Sequence, residues 1–221
     1  LADSVPPPPV ALVFFLDDGR GYPALVVADL LLLTRVGVDT GYFAHEFFHF
    51  YRRQISVPTR AAASRDVGLE ELLAYPAEEG IADQLDKRRY VEGSDSAFAV
   101  LMTRPGARGY AASYRAAYRR SSEWMAVVSI ALERATATPD SATPIARAAP
   151  ESLPDQRRAL GTFMARTIDN VEGRAALIAV AGDPYGFWLA YDAAAVRTGG
   201  TLPRLSTKAL AVVGRLAPPP R

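Results

Sequence analysis

Thr40-Gly41-Tyr42-Phe43-Ala44-His45-Glu46-Phe47-Phe48-His49-Phe50-Tyr51 is the stretch on which the reading of this chain turns. On an α-helix, residues four apart lie on one face, so His45 and His49 can aim two imidazole nitrogens at a single metal ion. Glu46 lies about 100° further round. From there it reaches a water on the metal rather than the metal itself. Two neutral histidines with a carboxylate beside them suit Zn²⁺ and a hydrolytic water. The flanks are uncharged and aromatic, as a ligand helix buried beneath a cleft requires. The competing reading is a core helix with two hydrogen-bonded histidines. The i, i+4 pair with Glu directly behind its first member favours the metal. Asp39 or Thr40 is the expected N-cap, the helix is expected to run to about Gln54, and Pro58 stops anything longer.

Working outward, Val10 to Leu16 is a continuous apolar run that suits a buried strand, and Ala24 to Ala28 is a second strand. Asp17 to Pro23 between them has the composition of a turn, which predicts a hairpin ahead of the metal helix. Asp29 to Val38 fits strand and helix equally. Downstream the chain is helical. Val67 to Ala74 and Ala77 to Tyr90 are expected as two pieces divided at Pro76. A short helix is expected from Ser94 to Thr103, one long helix from Ala107 to Ala135, and a loop from Thr136 to Pro150. Helices follow over Leu153–Val171 and Glu172–Ala181. Gly182-Asp183-Pro184 caps another from Tyr185 to Arg197, Gly199-Gly200 ends it, and a last helix runs from Ser206 to Leu216. Arg115, Arg119, Arg120, Arg157 and Arg158 read as solvated helix faces. The expected fold class is mainly α (α+β), with a small β hairpin or sheet on the N-terminal side.

Composition bounds the rest. The 221 residues are 49% apolar, enough for a sizeable core without staples. A formal net charge of +1 gives no reason to expect nucleic acid or a membrane surface as partner. There is no cysteine, which removes disulfides, iron–sulfur clusters and thiolate zinc sites together. No apolar run approaches the ~18 residues of a membrane-spanning helix. Proline runs at 6–9 and 218–220 read as extended spacers, giving a linker over residues 1–9, one domain over 10–217 and a tail over 218–221. The start at Leu1 reads as a mature domain or an excised fragment. An exported or cell-envelope location is favoured slightly over the cytoplasm.

A catalytic zinc usually takes three protein ligands and keeps a position for water. Only two histidines exist, both already assigned, so the third ligand is Asp or Glu or the site is incomplete. The richest candidate segment is Ala77-Glu78-Glu79-Gly80-Ile81-Ala82-Asp83. On a helical wheel Glu78 lies with Ile81, Ala82 and Leu85, the apolar arc, and Glu79 lies about 100° away. The wheel alone therefore favours Glu78.

Together, His45-Glu46-Phe47-Phe48-His49 and Glu79-Gly80-Ile81-Ala82-Asp83 resemble the gluzincin group of zinc metallopeptidases, and specifically uncharacterised bacterial zinc-dependent peptidases with a similar E-G-I-A-D segment. The likeness covers residues 42–53 and 77–86, and weakly 182–191. It implies a zincin-like helical domain, Zn²⁺ on His45, His49 and Glu79, and Glu46 as general base. Asp83, four residues on from Glu79, would accept a hydrogen bond from a ligand imidazole. Two departures stand out: 30 residues separate His49 from Glu79, a longer gap than familiar members show, and Glu78 stands where Asn often precedes the ligand.

The implied activity is hydrolysis of peptide bonds in a peptide or protein substrate by a zinc-activated water. With both histidines committed, a Tyr or Arg must stabilise the carbonyl oxygen as it turns anionic. Tyr185, at the turn-to-helix junction, is the first choice, with Tyr191, Tyr110 and Tyr114 as alternatives. The rival functions are a non-catalytic zinc-binding or scaffold protein of the same fold and a hydrolase of non-peptide amides. Glu46 favours an enzyme, since a purely structural zinc has no need of a base.

Overall fold

The computed structural model describes residues 6–14, 19–36, 40–55, 67–92, 107–138, 142–151 and 156–217. Within them are strands β1 (Val10–Val13), β2 (Gly19–Gly21) and β3 (Val26–Asp29). The helices are α1 (Leu30–Val36), α2 (Thr40–Ile55), α3 (Val67–Asp86), α4 (Arg88–Val91), α5 (Ala107–Arg119) and α6 (Ser121–Ala137). They continue with α7 (Ala142–Glu151), α8 (Gln156–Glu172), α9 (Arg174–Ala179), α10 (Pro184–Arg197) and α11 (Thr207–Leu216). The chain is thus mainly α with a small three-stranded sheet at its N-terminal side. No helix among the described residues is long and apolar enough to cross a membrane. Backbone contacts group Leu1–Ser56 with Ala82–Arg115, and Val57–Ile81 with Ala116–Arg221; α3 runs unbroken through this division. The expected Asp39 cap and the Ser94–Thr103 helix lie outside the described residues.

In the first grouping the sheet order is β1-β3-β2. β1 and β3, expected as a hairpin, instead run parallel, with Val10 opposite Val26. The antiparallel partner of β3 is β2, drawn from the segment expected to be only a turn; Gly21 faces Val26. The turn itself is shorter and later, closed by Tyr22 N–H donating to the Leu25 carbonyl at 2.8 Å. A Gly-Arg-Gly strand has no apolar pattern to betray it, because its contribution is backbone pairing alone. Nor is β1 a buried strand: Val10, Leu12 and Phe14 are 41%, 53% and 62% exposed. It is an edge strand, and β3 between the two edges carries the buried Val26, Ala28 and Asp29. Asp29 also settles the ambiguous segment after it. Its Oδ1 accepts from Leu31 N–H at 2.7 Å, which starts α1 as a helix.

The second grouping is helical. α8 is its central element, with Ala159, Leu160, Met164, Ala165 and Ile168 fully buried, and it packs on α6, α9 and α10. α10 adds Phe187, Trp188, Ala194 and Ala195 to the core, and Trp188 Nε1 donates to the Leu73 carbonyl of α3 at 3.0 Å. The capping expectations for α10 hold. Asp183 accepts from Tyr185 N–H and Gly186 N–H at 3.0 and 2.9 Å, Pro184 opens the helix, and Gly199 and Gly200 past its end have φ of 77° and 74°.

Four boundaries differ from expectation, each for a physical reason. α3 continues through Pro76 rather than dividing there. A proline inside a helix costs about 3 kcal/mol, whereas each fully buried leucine contributes about 1.5–3 kcal/mol. Leu69, Leu72 and Leu73 are all buried on this helix, so continuity wins. The expected long helix breaks at Arg120, where the Ser121 hydroxyl donates to the Tyr118 carbonyl at 2.7 Å and competes with the backbone ladder. The expected loop at 136–150 is largely α7. Its Pro144 falls in the first turn, where no backbone N–H is needed. Between α8 and α9, Gly173 at φ 89° imposes the break.

α3 and α8 cross at close range in this grouping. A Cβ on Gly80 would overlap the backbone of Gly161, and one on Gly161 would overlap the carbonyl of Pro76. Gly161→Ala should therefore destabilise the chain by about 1–3 kcal/mol, the usual overpacking range. Gly214→Ala on α11, where a Cβ meets nothing within 4 Å, should be neutral or gain a few tenths of a kcal/mol up to about 1 kcal/mol in urea unfolding. Equal effects of the two substitutions would refute the close crossing.

Candidate metal centre

α2 presents His45 and His49 to each other, as their spacing requires. Their Nε2 atoms lie 3.1 Å apart, with ring centroids at 4.8 Å and planes at 72°. Two zinc–nitrogen bonds of about 2.0–2.1 Å at a tetrahedral angle would set the nitrogens roughly 3.3 Å apart. The rings thus already converge to about the required spacing. Glu46, one residue on, is buried, and its Oε1 lies 4.0 Å from His45 Nε2, close to the two rings without joining them.

The other ring nitrogen of His45 is held from α3. Nδ1 lies 3.2 Å from Asp86 Oδ1 and 3.3 Å from Asp83 Oδ1. Burial of the ring works to lower its pKa. The hydrogen bonds and charges of Asp83 and Asp86 outweigh that and raise it to about 9. With Nδ1–H donated to carboxylates, Nε2 is the nitrogen left to ligate, the usual arrangement for a metal-binding histidine. Asp83 was expected in this role. Asp86 was not, although its position seven residues after Glu79, on one helical stripe with Glu79 and Asp83, is the signal that could have found it.

Asp83 is fully buried, so its second oxygen needs a donor, and Tyr114 of α5 supplies one at 2.7 Å. Tyr114 is itself buried against the rings of Tyr90 and Tyr110. Its hydroxyl therefore supports Asp83, a role no local sequence pattern announces. From the sheet side, Gly21 of β2 closes on α2. A Cβ there would come within 2.8 Å of the Glu46 carbonyl oxygen, and Arg53 Nη1 donates to the Gly21 carbonyl at 2.7 Å.

Two sets of side chains each offer three ligand atoms within 4.8 Å of one another: His45, His49 and Glu79; and His45, Asp83 and Asp86. The second uses the Nδ1 side of His45 and is the hydrogen-bonded triad just described. The first uses one carboxylate and two imidazoles, a donor set that fits zinc. Glu78 does not belong to it. Of the wheel neighbours of Glu78, Ile81 and Ala82 are buried and Leu85 is 40% exposed. Tyr185 opens α10 as a buried residue of the second grouping, and the Tyr191 hydroxyl is occupied by the Pro203 carbonyl.

Residues 3–198 match the family model described as "Putative zinc dependent peptidase (DUF5700)", and the chain belongs to that family. No curated protein and no solved structure matches the chain.

Tyr114→Phe should leave the buried Asp83 oxygen without this donor and loosen His45. Zinc affinity, read by competition with a chromophoric chelator, should fall by roughly 10-fold, the lower end of losses for outer partners of metal ligands. Unchanged affinity would detach Tyr114 from the site.

Proposed function

We propose that this chain is a gluzincin-type zinc metallopeptidase that holds Zn²⁺ through His45, His49 and Glu79 and uses Glu46 as general base. The observation that carries the reading is the facing pair of imidazole nitrogens, 3.1 Å apart, with a buried carboxylate beside them. Zinc, when bound, supplies a Lewis acid that polarises the scissile carbonyl and brings the pKa of a water towards ~7. Glu46 takes the proton of the attacking water and returns it to the departing amine. Asp83 and Asp86 hold the His45 ring in the ligating tautomer throughout. β2 lies at an edge of the sheet beside Glu46 and His49, where the backbone of a peptide substrate can pair with it.

A non-catalytic zinc protein of the same fold is the alternative. Glu46 tells against it, because burying a carboxylate beside a purely structural zinc has a desolvation cost and no return. For the oxyanion donor we retain Tyr185, reached by elimination since both histidines serve the metal.

Glu46→Gln should keep zinc and lower hydrolysis of a mixed peptide library by roughly 10²–10⁴, the range for losing a general base. Wild-type turnover should stop on chelation and return with zinc. Full activity in the Gln variant would remove Glu46 from the mechanism.

Tyr185→Phe should keep zinc and fold, and lower kcat by roughly 10²–10³ with little change in KM, as for one lost oxyanion donor. An unchanged kcat would pass the role to another donor.

A further inference from the structure

Arg157 and Arg158 read from the sequence as solvated, and both are only partly exposed. Arg157 stacks on Tyr75, its guanidinium 4.3 Å from the ring centroid. Arg158 Nη2 lies 2.8 Å from Glu79 Oε2, with the two side chains only 24% and 17% exposed. The pairing follows from the backbone. Gly80 and Gly161 bring α3 and α8 into direct contact. Arg158 stands three residues before Gly161, about one helical turn, and Glu79 immediately precedes Gly80. The crossing therefore sets the arginine against this carboxylate.

We propose that Arg158 is a positioning residue for the metal site: it holds one oxygen of Glu79 and so presents the other to zinc. This rests on the ligand assignment made above. A glutamate carries three rotatable side-chain bonds and two equivalent oxygens, so an untethered one can ligate through either, through both, or swing away. Fixing one oxygen on a guanidinium removes that freedom before the metal arrives, and the ordering cost is met in folding rather than in binding. It also favours one-oxygen ligation, which keeps a four-coordinate site with a position for water.

The test is zinc affinity of the full-length chain, by competition with a chromophoric chelator, for Arg158→Met, Arg158→Lys, Glu79→Ala, Glu78→Ala and the Arg158→Met/Glu79→Ala double variant. The expected result is a large loss for Glu79→Ala and none for Glu78→Ala. Arg158→Met should fall roughly 10-fold, with partial recovery in Arg158→Lys. The double variant should bind no more weakly than Glu79→Ala alone. Wild-type affinity in Arg158→Met, alongside loss in Glu79→Ala, would overturn the positioning role and leave the ligand set standing. The same 10-fold loss added in the Glu79→Ala background would overturn it too, by showing that Arg158 acts through the fold. Unchanged zinc in Glu79→Ala would instead overturn the ligand assignment itself. Arg158→Gln replaces the Met variant should that one not fold, which circular dichroism reads directly.

Discussion

The placement of His45 Nδ1 between Asp83 and Asp86 is the constraint on which the candidate site depends. A buried carboxylate is costly unless it is paired and hydrogen-bonded, and Asp83 has no exposure to water. An imidazole N–H and the Tyr114 phenol both point at it and support its charge. Those same contacts turn the second imidazole nitrogen towards His49. One small network thus stabilises the meeting of α2, α3 and α5 and orients a metal ligand, so the stability of the region and the geometry of the site rise and fall together.

A second constraint acts from the sheet. Gly21 approaches the carbonyl of Glu46 so closely that any side chain there would force β2 away from α2. Arg53, in the last turn of the same helix, ties to the Gly21 carbonyl. The histidine helix is therefore braced by acids from α3 on one side and by bare backbone on the other. Among the described residues, glycine lets two elements touch here and at the Gly80–Gly161 crossing, and in both places a residue of the candidate site is adjacent.

Membership in a family described as zinc-dependent peptidases agrees with the donor chemistry. The family match speaks of zinc and peptide hydrolysis without naming residues. The geometry speaks of residues without naming a substrate. The catalytic assignment proposed for Glu46 and the ligand role proposed for Glu79 draw on both.

The sequence alone determined what is local. The i, i+4 histidines with Glu46 between them follow from helical periodicity, and the cap at Asp183 from its Gly-Asp-Pro turn, because each depends only on residues within a turn or two. The mainly α class with a small N-terminal sheet was legible for the same reason. Tertiary structure decided what depends on distant partners. The parallel pairing of β1 with β3 is one case, since an apolar run does not say which strand it will meet. The passage of α3 through Pro76 is another, since only the burial of its leucines offsets the proline. Tyr114 on Asp83 and Arg158 on Glu79 join residues 31 and 79 positions apart, and no pattern within one element encodes such a meeting. It arises when packed helices leave a buried carboxylate that has to be satisfied, and the chain supplies whichever donor the fold has brought within reach.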